Sequence, residues 1–237
     1  KRWKRKKTEA AIQKRAAELA TVAEISTQVT TLHETEEILQ NVVDLSKENF
    51  NLYHAHIYMV DVQNENLVLA AGAGEAGEKM IAEGWEIPLS RERSLVARAA
   101  REKEGFIVND VRDEEGFMAN PLLPDTAAEL AVPLIIEDEV LGVLDVQSNE
   151  VGYFTEEDLN IQTTLAAQVA VAIQNVRTFK ATQEQAEYEA KINLISQRIQ
   201  GTTNVEEALQ VAVRELGRAL GAKQASIQLD TSTKQGS

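Results

Sequence analysis

Apolar residues in the first part of the chain recur at helical spacing. Over residues 8–31 no Gly or Pro interrupts the stretch, and two sets of residues repeat at intervals of seven. Such spacing is typical of the inward-facing positions of a heptad repeat. The stretch therefore predicts a helix that pairs with another helix over about two heptads. Its heptad positions are Ile12, Leu19, Val22, Ser26 and Val29.

The spacing then changes to a mixture of helical and strand patterns. A second helix is predicted near Glu36–Asn49, and a short one ends at Gly105. Six stretches are rich in β-branched and aromatic residues or are continuously apolar, as strands tend to be. These predicted strands cover residues 53–62, 67–71, 85–89, 106–111 and the hairpin Leu130–Ile136 with Val140–Gln147.

A long helix is predicted from Thr155 to Gln200. Thr155 suits the N-cap, and the acidic residues that follow it suit the positive end of the helix dipole. No Gly or Pro occurs before Gln200, so the helix would be roughly 60–70 Å long. We expect a helix of that length to extend beyond the domain on which it starts.

The chain repeats part of its own pattern at an offset of 170 residues. Ile25-Ser26 recurs as Ile195-Ser196, and Glu36-Glu37 recurs as Glu206-Glu207. A long helix, a second helix and a first strand thus recur in the same order, which is typical of repeated units. Residues 201–237 are therefore interpreted as the start of a second unit that stops after its first strand.

Composition and charge exclude several kinds of chemistry. Among 237 residues there is no Cys, so disulfides, thiolate zinc sites and thiol nucleophiles are excluded. The formal net charge of −14 disfavours general binding to nucleic acid, which requires a basic surface. The basic start KRWKRKK departs from this trend. It fits a segment at the inner face of a membrane, or else a solvated tail.

Two motifs suggest chemistry, and each has a simpler interpretation. Gly72–Gly77 matches the G-x-G-x-x-G pattern of a nucleotide-binding loop, but the βαβ context that such a loop needs is missing, which favours a connector. His54 and His56 lie on one face of a predicted strand and could bind a metal with Asp61. Two histidines are few for a zinc site, so they are interpreted as ordinary strand residues near a helix or dimer contact.

Several of these segments resemble successive parts of a GAF domain. They are GAGEAGEKM, WEIPLS, NPLLPDTAAELAVPLIIEDEVLGVLDVQS and FTEEDLNIQTTLAAQVAVAIQN, and the resemblance covers about residues 20–176. It implies an α+β fold with an antiparallel sheet. Helices from both chain ends would lie on one face, with loops and short helices over a small-molecule pocket on the other. Strands covered on both faces would explain why the hairpin is so apolar.

The resemblance also indicates which residues would line a ligand pocket and which would form a dimer. A pocket would be lined by Trp85, Leu95, Ile107, Asn109, Phe117, Leu122 and Leu130, unless these residues are only a second small core. A dimer would form through Ile12, Leu19, Val22, Val29, Ile173 and Val176 of the terminal helices.

Known subtypes of the GAF family bind particular cofactors or substrates, and the sequence argues against several of them. Bilin attachment and methionine sulfoxide reduction both need Cys, and the cyclic-nucleotide subtype carries an Asn-Lys pair that this chain lacks. A haem in some GAF domains takes a histidine, which leaves His54 or His56 as a formal option. We expect no catalytic residue, no metal and no cofactor, although an unidentified small ligand fits.

The resulting expectation is a cytoplasmic signalling protein with a GAF domain at 20–176. Residues 1–19 would be a basic segment next to a membrane, followed by the start of a signalling helix. Residues 177–200 would be a helical linker, and 201–237 the start of a second GAF-like domain. The module would form a homodimer and relay a signal to an output domain such as a histidine kinase or cyclase. The alternative is a purely structural spacer without a ligand.

Overall fold

The computed structural model describes residues 16, 20–25, 27, 34–114, 117, 119–200 and 205–219. Residues 20–25 are helical. The elements that follow are α1 (Thr35–Asn49), β1 (His54–Val60), β2 (Asn66–Gly72), α2 (Gly74–Ala82), β3 (Glu86–Pro88), α3 (Leu95–Glu102), β4 (Phe106–Val108), β5 (Ala128–Ile136), β6 (Glu139–Ser148), α4 (Glu156–Gln200) and α5 (Val205–Ala219).

The six strands form one antiparallel sheet in the order β3-β2-β1-β6-β5-β4. Strands β1 and β6 are central, and β6 is paired along most of its length on both sides. The tight turn between β5 and β6 places Glu137 at a φ of 54°. The expected α+β fold with an antiparallel sheet is confirmed.

Alternating side chains give the sheet two buried faces. Ala55 and Ile57 of β1 face a large core that also contains α1, α4 and residues of the helical stretch 20–25. Tyr58 of β1 faces a smaller core with Met80 of α2 and Val96 of α3. We call these the helix face and the cavity face of the sheet. Both faces are covered, which accounts for the apolar β5–β6 hairpin.

Helix α4 begins with reciprocal capping and contributes buried residues as far as Val176. The Thr155 hydroxyl accepts from the Asp158 backbone N–H at 3.2 Å, and the Asp158 carboxylate accepts from the Thr155 N–H at 2.8 Å. Nine α4 residues from Ile161 to Val176 are buried, whereas residues 177–200 have no buried side chain. The helix is continuous over its 45 residues.

The chain divides into two compact units, residues 1–177 and residues 178–237. In the second unit, Arg198 of α4 and Glu215 of α5 form an ion pair at 2.6 Å. Helix α5 occurs where the sequence repeat predicts a helix. The strand predicted to follow it lies outside the described residues, and so does the basic start at 1–7. No helix in the described ranges has the length and apolarity that crossing a bilayer requires.

Burial and local bonding bear on two expectations from the sequence. Val22, Ile173 and Val176 are at most 9% exposed and pack within the chain's own core, and their part in a dimer stays a prediction. Ile12, Leu19 and Val29 lie outside the described residues. Strand β4 ends at Val108 rather than near 111. The reason is that the Asp110 carboxylate accepts from the Arg112 backbone N–H, which turns the chain.

Candidate functional site

Five polar side chains are buried side by side on the cavity face. Three neighbouring strands supply them, and the pairing register brings them together: His56 lies opposite Asp145, and Gln147 lies between His54 and Glu129. Each is at most 9% exposed. Burying polar groups costs free energy unless they are hydrogen-bonded, so each must be accounted for. They are His54, His56, Glu129, Asp145 and Gln147, here called the polar cluster.

A short hydrogen-bond chain runs through the cluster. The Asp145 Oδ2 accepts from His56 Nδ1 at 3.1 Å and from Gln147 Nε2 at 2.9 Å. The Gln147 Oε1 accepts in turn from the Thr126 hydroxyl at 2.7 Å. Because an ionised carboxylate only accepts, His56 Nδ1 carries a proton in this arrangement. The chain thus orients the His56 ring and the Gln147 amide.

Burial controls the charge of the cluster. Burial, and then the neighbouring Asp145 carboxylate, raise the pKa of Glu129 well above its usual value. Burial, and then the adjacent His56, lower the pKa of His54 to about 3, so this ring is neutral at physiological pH. The two rings lie 4.1 Å apart. A protonated Glu129 lets the two carboxyls avoid a second buried negative charge.

Three atoms of the cluster are buried without a hydrogen-bond partner among the described residues. They are Asp145 Oδ1, His56 Nε2 and His54 Nε2. An unsatisfied buried polar atom costs about 1–3 kcal/mol and is uncommon in folded proteins. Atoms of this kind are expected beside a space that a ligand or water fills.

Such a space is present above the cluster. A cavity of about 110 Å³ is lined by His56, Tyr58, Trp85, Glu86, Ile87, Arg91, Arg93, Ser94, Leu95, Val96, Phe117, Asn120, Thr126, Glu129, Asp145 and Gln147. An engineered cavity of about 150 Å³ binds benzene, while drug-sized ligands need about 300 Å³ or more. The space therefore suits a molecule of a few non-hydrogen atoms.

The loop between β3 and α3 forms part of the cavity wall and is held from α3. The Arg101 Nη1 donates to the Leu89 and Arg91 carbonyls at 2.6 and 3.0 Å. The Ser94 hydroxyl caps α3 by accepting from the Ala97 N–H. Arg91 and Arg93 are exposed and line the same cavity. The cavity thus has a buried acidic end and exposed basic side chains.

The structure brings together some of the residues expected in the pocket and not others. Trp85, Leu95 and Phe117 line the cavity. Leu122 packs against the smaller core. Leu130 and Ile107 belong to the helix-face core, because strand alternation turns Leu130 away from its neighbour Glu129. The Asn109 side chain instead bridges the backbone N–H and carbonyl of Phe154, at 3.0 and 2.7 Å.

The glycine motif serves packing rather than phosphate binding. A Cβ on Gly77 would lie 2.1 Å from the Gly72 carbonyl carbon, so the glycines let α2 lie directly on β2. The next strand, β3, pairs antiparallel with β2, and a dinucleotide fold would need a parallel strand.

The described residues offer no set of metal ligands around His54 and His56. Asp61 accepts from the Glu65 N–H and the Asn66 side chain in the β1–β2 turn, while His56 pairs with Asp145. No group of three or more potential metal ligands occurs in the described part of the chain.

Comparison with known proteins agrees with this architecture. The family model described as GAF domain matches residues 33–174. GAF domain-containing protein A of Dictyostelium discoideum is 33% identical over 120 residues, which cover 51% of this chain and 69% of that protein.

Two solved structures show the same fold. The GAF domain of a phosphoenolpyruvate-protein phosphotransferase from Coxiella burnetii superposes with a TM-score of 0.63 at 22% identity, covering 70% of this chain and 98% of that one. The free methionine-R-sulfoxide reductase of Neisseria meningitidis, solved with its substrate, gives 0.61 at 24% identity, covering 70% and 93%. The chain belongs to the GAF domain family, whose members are typically sensory or regulatory modules of signalling proteins.

Proposed function

We propose that this chain is a non-catalytic sensory module that binds a small ligand in its cavity. It would pair with a second copy through α4 and relay ligand occupancy to an output domain such as a histidine kinase or cyclase. The observation that carries the proposal is the continuity of α4. One helix packs on the sheet and then continues for residues 177–200 without a buried side chain.

Strand β6 provides a direct connection between cavity and helix. Asp145 lines the cavity, while its neighbour Val146 is fully buried in the helix-face core with α4. A ligand that pulls on Asp145 therefore acts on the strand against which the helix packs. A ligand can shift an equilibrium only by its differential affinity for two states, so the proposal requires that the contact with Asp145 differ between them.

The exposed part of α4 carries the apolar surface that pairing would use. Tyr188 and Ile192 are 61% and 44% exposed. They are four residues apart and so share one face of the helix. This spacing also matches successive inward positions of a heptad. We therefore propose that Tyr188 and Ile192, rather than the buried Ile173 and Val176, form the contact between the two helices.

The mass of the full chain in solution tests the pairing. We expect a dimer by light scattering, and we expect Tyr188→Lys/Ile192→Lys to convert it to a monomer. The matched control, Ala186→Lys/Ala190→Lys, places the same charges at exposed positions on the opposite face and should remain dimeric. A monomeric wild-type chain, or equal dissociation of both variants, would contradict the proposal.

The small size of the cavity favours one alternative, a spacer that binds nothing. At about 110 Å³ the space could hold only water that satisfies the polar cluster. Native mass spectrometry separates the two functions. A reproducible small added mass on the purified chain would support a sensor, and so would ligand-dependent stabilisation.

A further inference from the structure

We propose that the cavity selects a small molecule carrying a primary ammonium group, which donates hydrogen bonds to Asp145 and His56. The proposal deepens the proposed function, because it rests on the cavity being a ligand site and names the ligand's chemical class.

The unpartnered atoms define what the ligand must supply. The Asp145 Oδ2 already accepts two hydrogen bonds, whereas Oδ1 accepts none among the described residues, although the Glu129 carboxyl lies within hydrogen-bonding reach of Asp145. A neutral imidazole that donates from Nδ1 has an accepting lone pair on Nε2, and Nε2 of His56 is also without a partner. Both side chains are at most 2% exposed. Both side chains line the same small space, so a molecule with at least two donors would satisfy both acceptors.

The charge of the buried end favours a cation over a neutral donor. Asp145 and Glu129 both line the cavity, and the Asp145 carboxylate is hydrogen-bonded to the His56 ring. Charge-assisted hydrogen bonds are roughly twice as strong as neutral ones. A primary ammonium has three N–H donors and a positive charge, so it satisfies both requirements with one group.

Glu129 gives the site a dependence on pH. One ammonium balances the charge of Asp145, and its positive charge beside Glu129 lowers the pKa of that carboxyl, so loss of the Glu129 proton at higher pH adds a second attraction for the ligand. Affinity should therefore rise with pH. The titratable and charged groups around Glu129 come from several elements. They are Asp145 of β6, His54, His56 and Tyr58 of β1, Glu86 of β3, Arg91 and Arg93 before α3, and Glu114 after β4.

The apolar part of the cavity wall limits the size and polarity of the rest of the ligand. Trp85, Ile87 and Phe117 are apolar or aromatic, and about 110 Å³ leaves room for a short alkyl chain. A butyl group has a suitable size, so n-butylammonium is the probe. 1-Butanol and butyrate are matched neutral and anionic probes of the same length.

Binding of the three probes to the full chain is measured by NMR titration. We expect n-butylammonium to bind and the other two not to bind over the same range. Asp145→Asn should weaken binding at least about tenfold, whereas Glu139→Gln removes one exposed charge from the β5–β6 turn and should have no effect. Glu129→Gln should retain binding but lose its pH dependence. Thermal unfolding of each variant confirms that it folds.

Each contrary result has a distinct meaning. Equal binding of 1-butanol would show an apolar site, and preferential binding of butyrate would assign the cavity to Arg91 and Arg93. Either result overturns the ammonium proposal but leaves the cavity as a ligand site, and so leaves the proposed function intact. Failure of all three probes also overturns it, while the light-scattering experiment tests helix pairing independently.

Discussion

At the scale of single residues, the buried carboxyl of Glu129 couples the stability of the domain to pH. Its pKa is raised in the folded chain by burial and by Asp145. A carboxyl whose pKa is raised by folding stabilises the folded state while it is protonated. This stabilisation is complete below the unfolded pKa of about 4.5 and is lost as the pH rises through the folded pKa.

The substitution Glu129→Gln should remove the loss of folding stability that occurs as the pH rises. Between about pH 4.5 and the folded pKa, wild-type stability should fall relative to the variant by up to about 1.4 kcal/mol per pH unit. Urea unfolding over a pH series measures the difference. Glu139→Gln, in the exposed turn, is the control and should follow the wild type. Parallel profiles for wild type and Glu129→Gln would show that Glu129 is ionised in the folded state.

The residues around the cavity were only partly predictable from the sequence. Trp85, Leu95 and Phe117 were expected at the cavity and line it, because apolar residues in covering segments are natural wall positions. In the polar cluster, His54 and His56 were candidates from the sequence, whereas Glu129, Asp145 and Gln147 were missed. Their signal was present in the sequence as Asp145 and Gln147 at alternate positions of an apolar strand, with Glu129 at the start of its partner. Only the register of three strands shows that these positions adjoin.

At the scale of elements, the packing of α2 on β2 depends on the absence of a side chain at Gly77. The clash of an added Cβ would be with the Gly72 backbone, which cannot rotate away as a side chain can. Gly77→Ala should therefore destabilise the domain, by about 1–3 kcal/mol for an overpacked contact. Thermal unfolding measures it, with Glu78→Ala, exposed on the same helix, as the control. A Gly77→Ala variant as stable as wild type would mean that the helix can move off the strand.

Elements with strong local signals were predicted well from the sequence. Helix α4 has a capping residue and acidic first turn at one end and no breaker for the rest of its length, and it extends from Glu156 to Gln200. The β5–β6 hairpin has two apolar runs around an acidic turn. Strand β4 was predicted too long, because its end depends on an Asp110–Arg112 turn that hydrophobic pattern does not report.

At the scale of the whole molecule, the cavity and the proposed pairing surface belong to different units. Both cores and the entire cavity belong to residues 1–177, whereas Tyr188 and Ile192 belong to residues 178–237. A chain ending at Arg177 should therefore fold and keep the cavity, but lose the proposed pairing surface.

Light scattering and thermal unfolding of that truncated chain test this separation. We expect a monomer that still unfolds cooperatively, because the sheet retains its cover on both faces. Added n-butylammonium should stabilise the truncated chain as much as we expect it to stabilise the full chain, since a ligand that binds only the folded state raises its stability by mass action. A truncated chain that remained dimeric would place the contact within residues 1–177. In that case ligand occupancy would reach the partner through the domain itself, and α4 beyond Arg177 would only transmit a pairing already made.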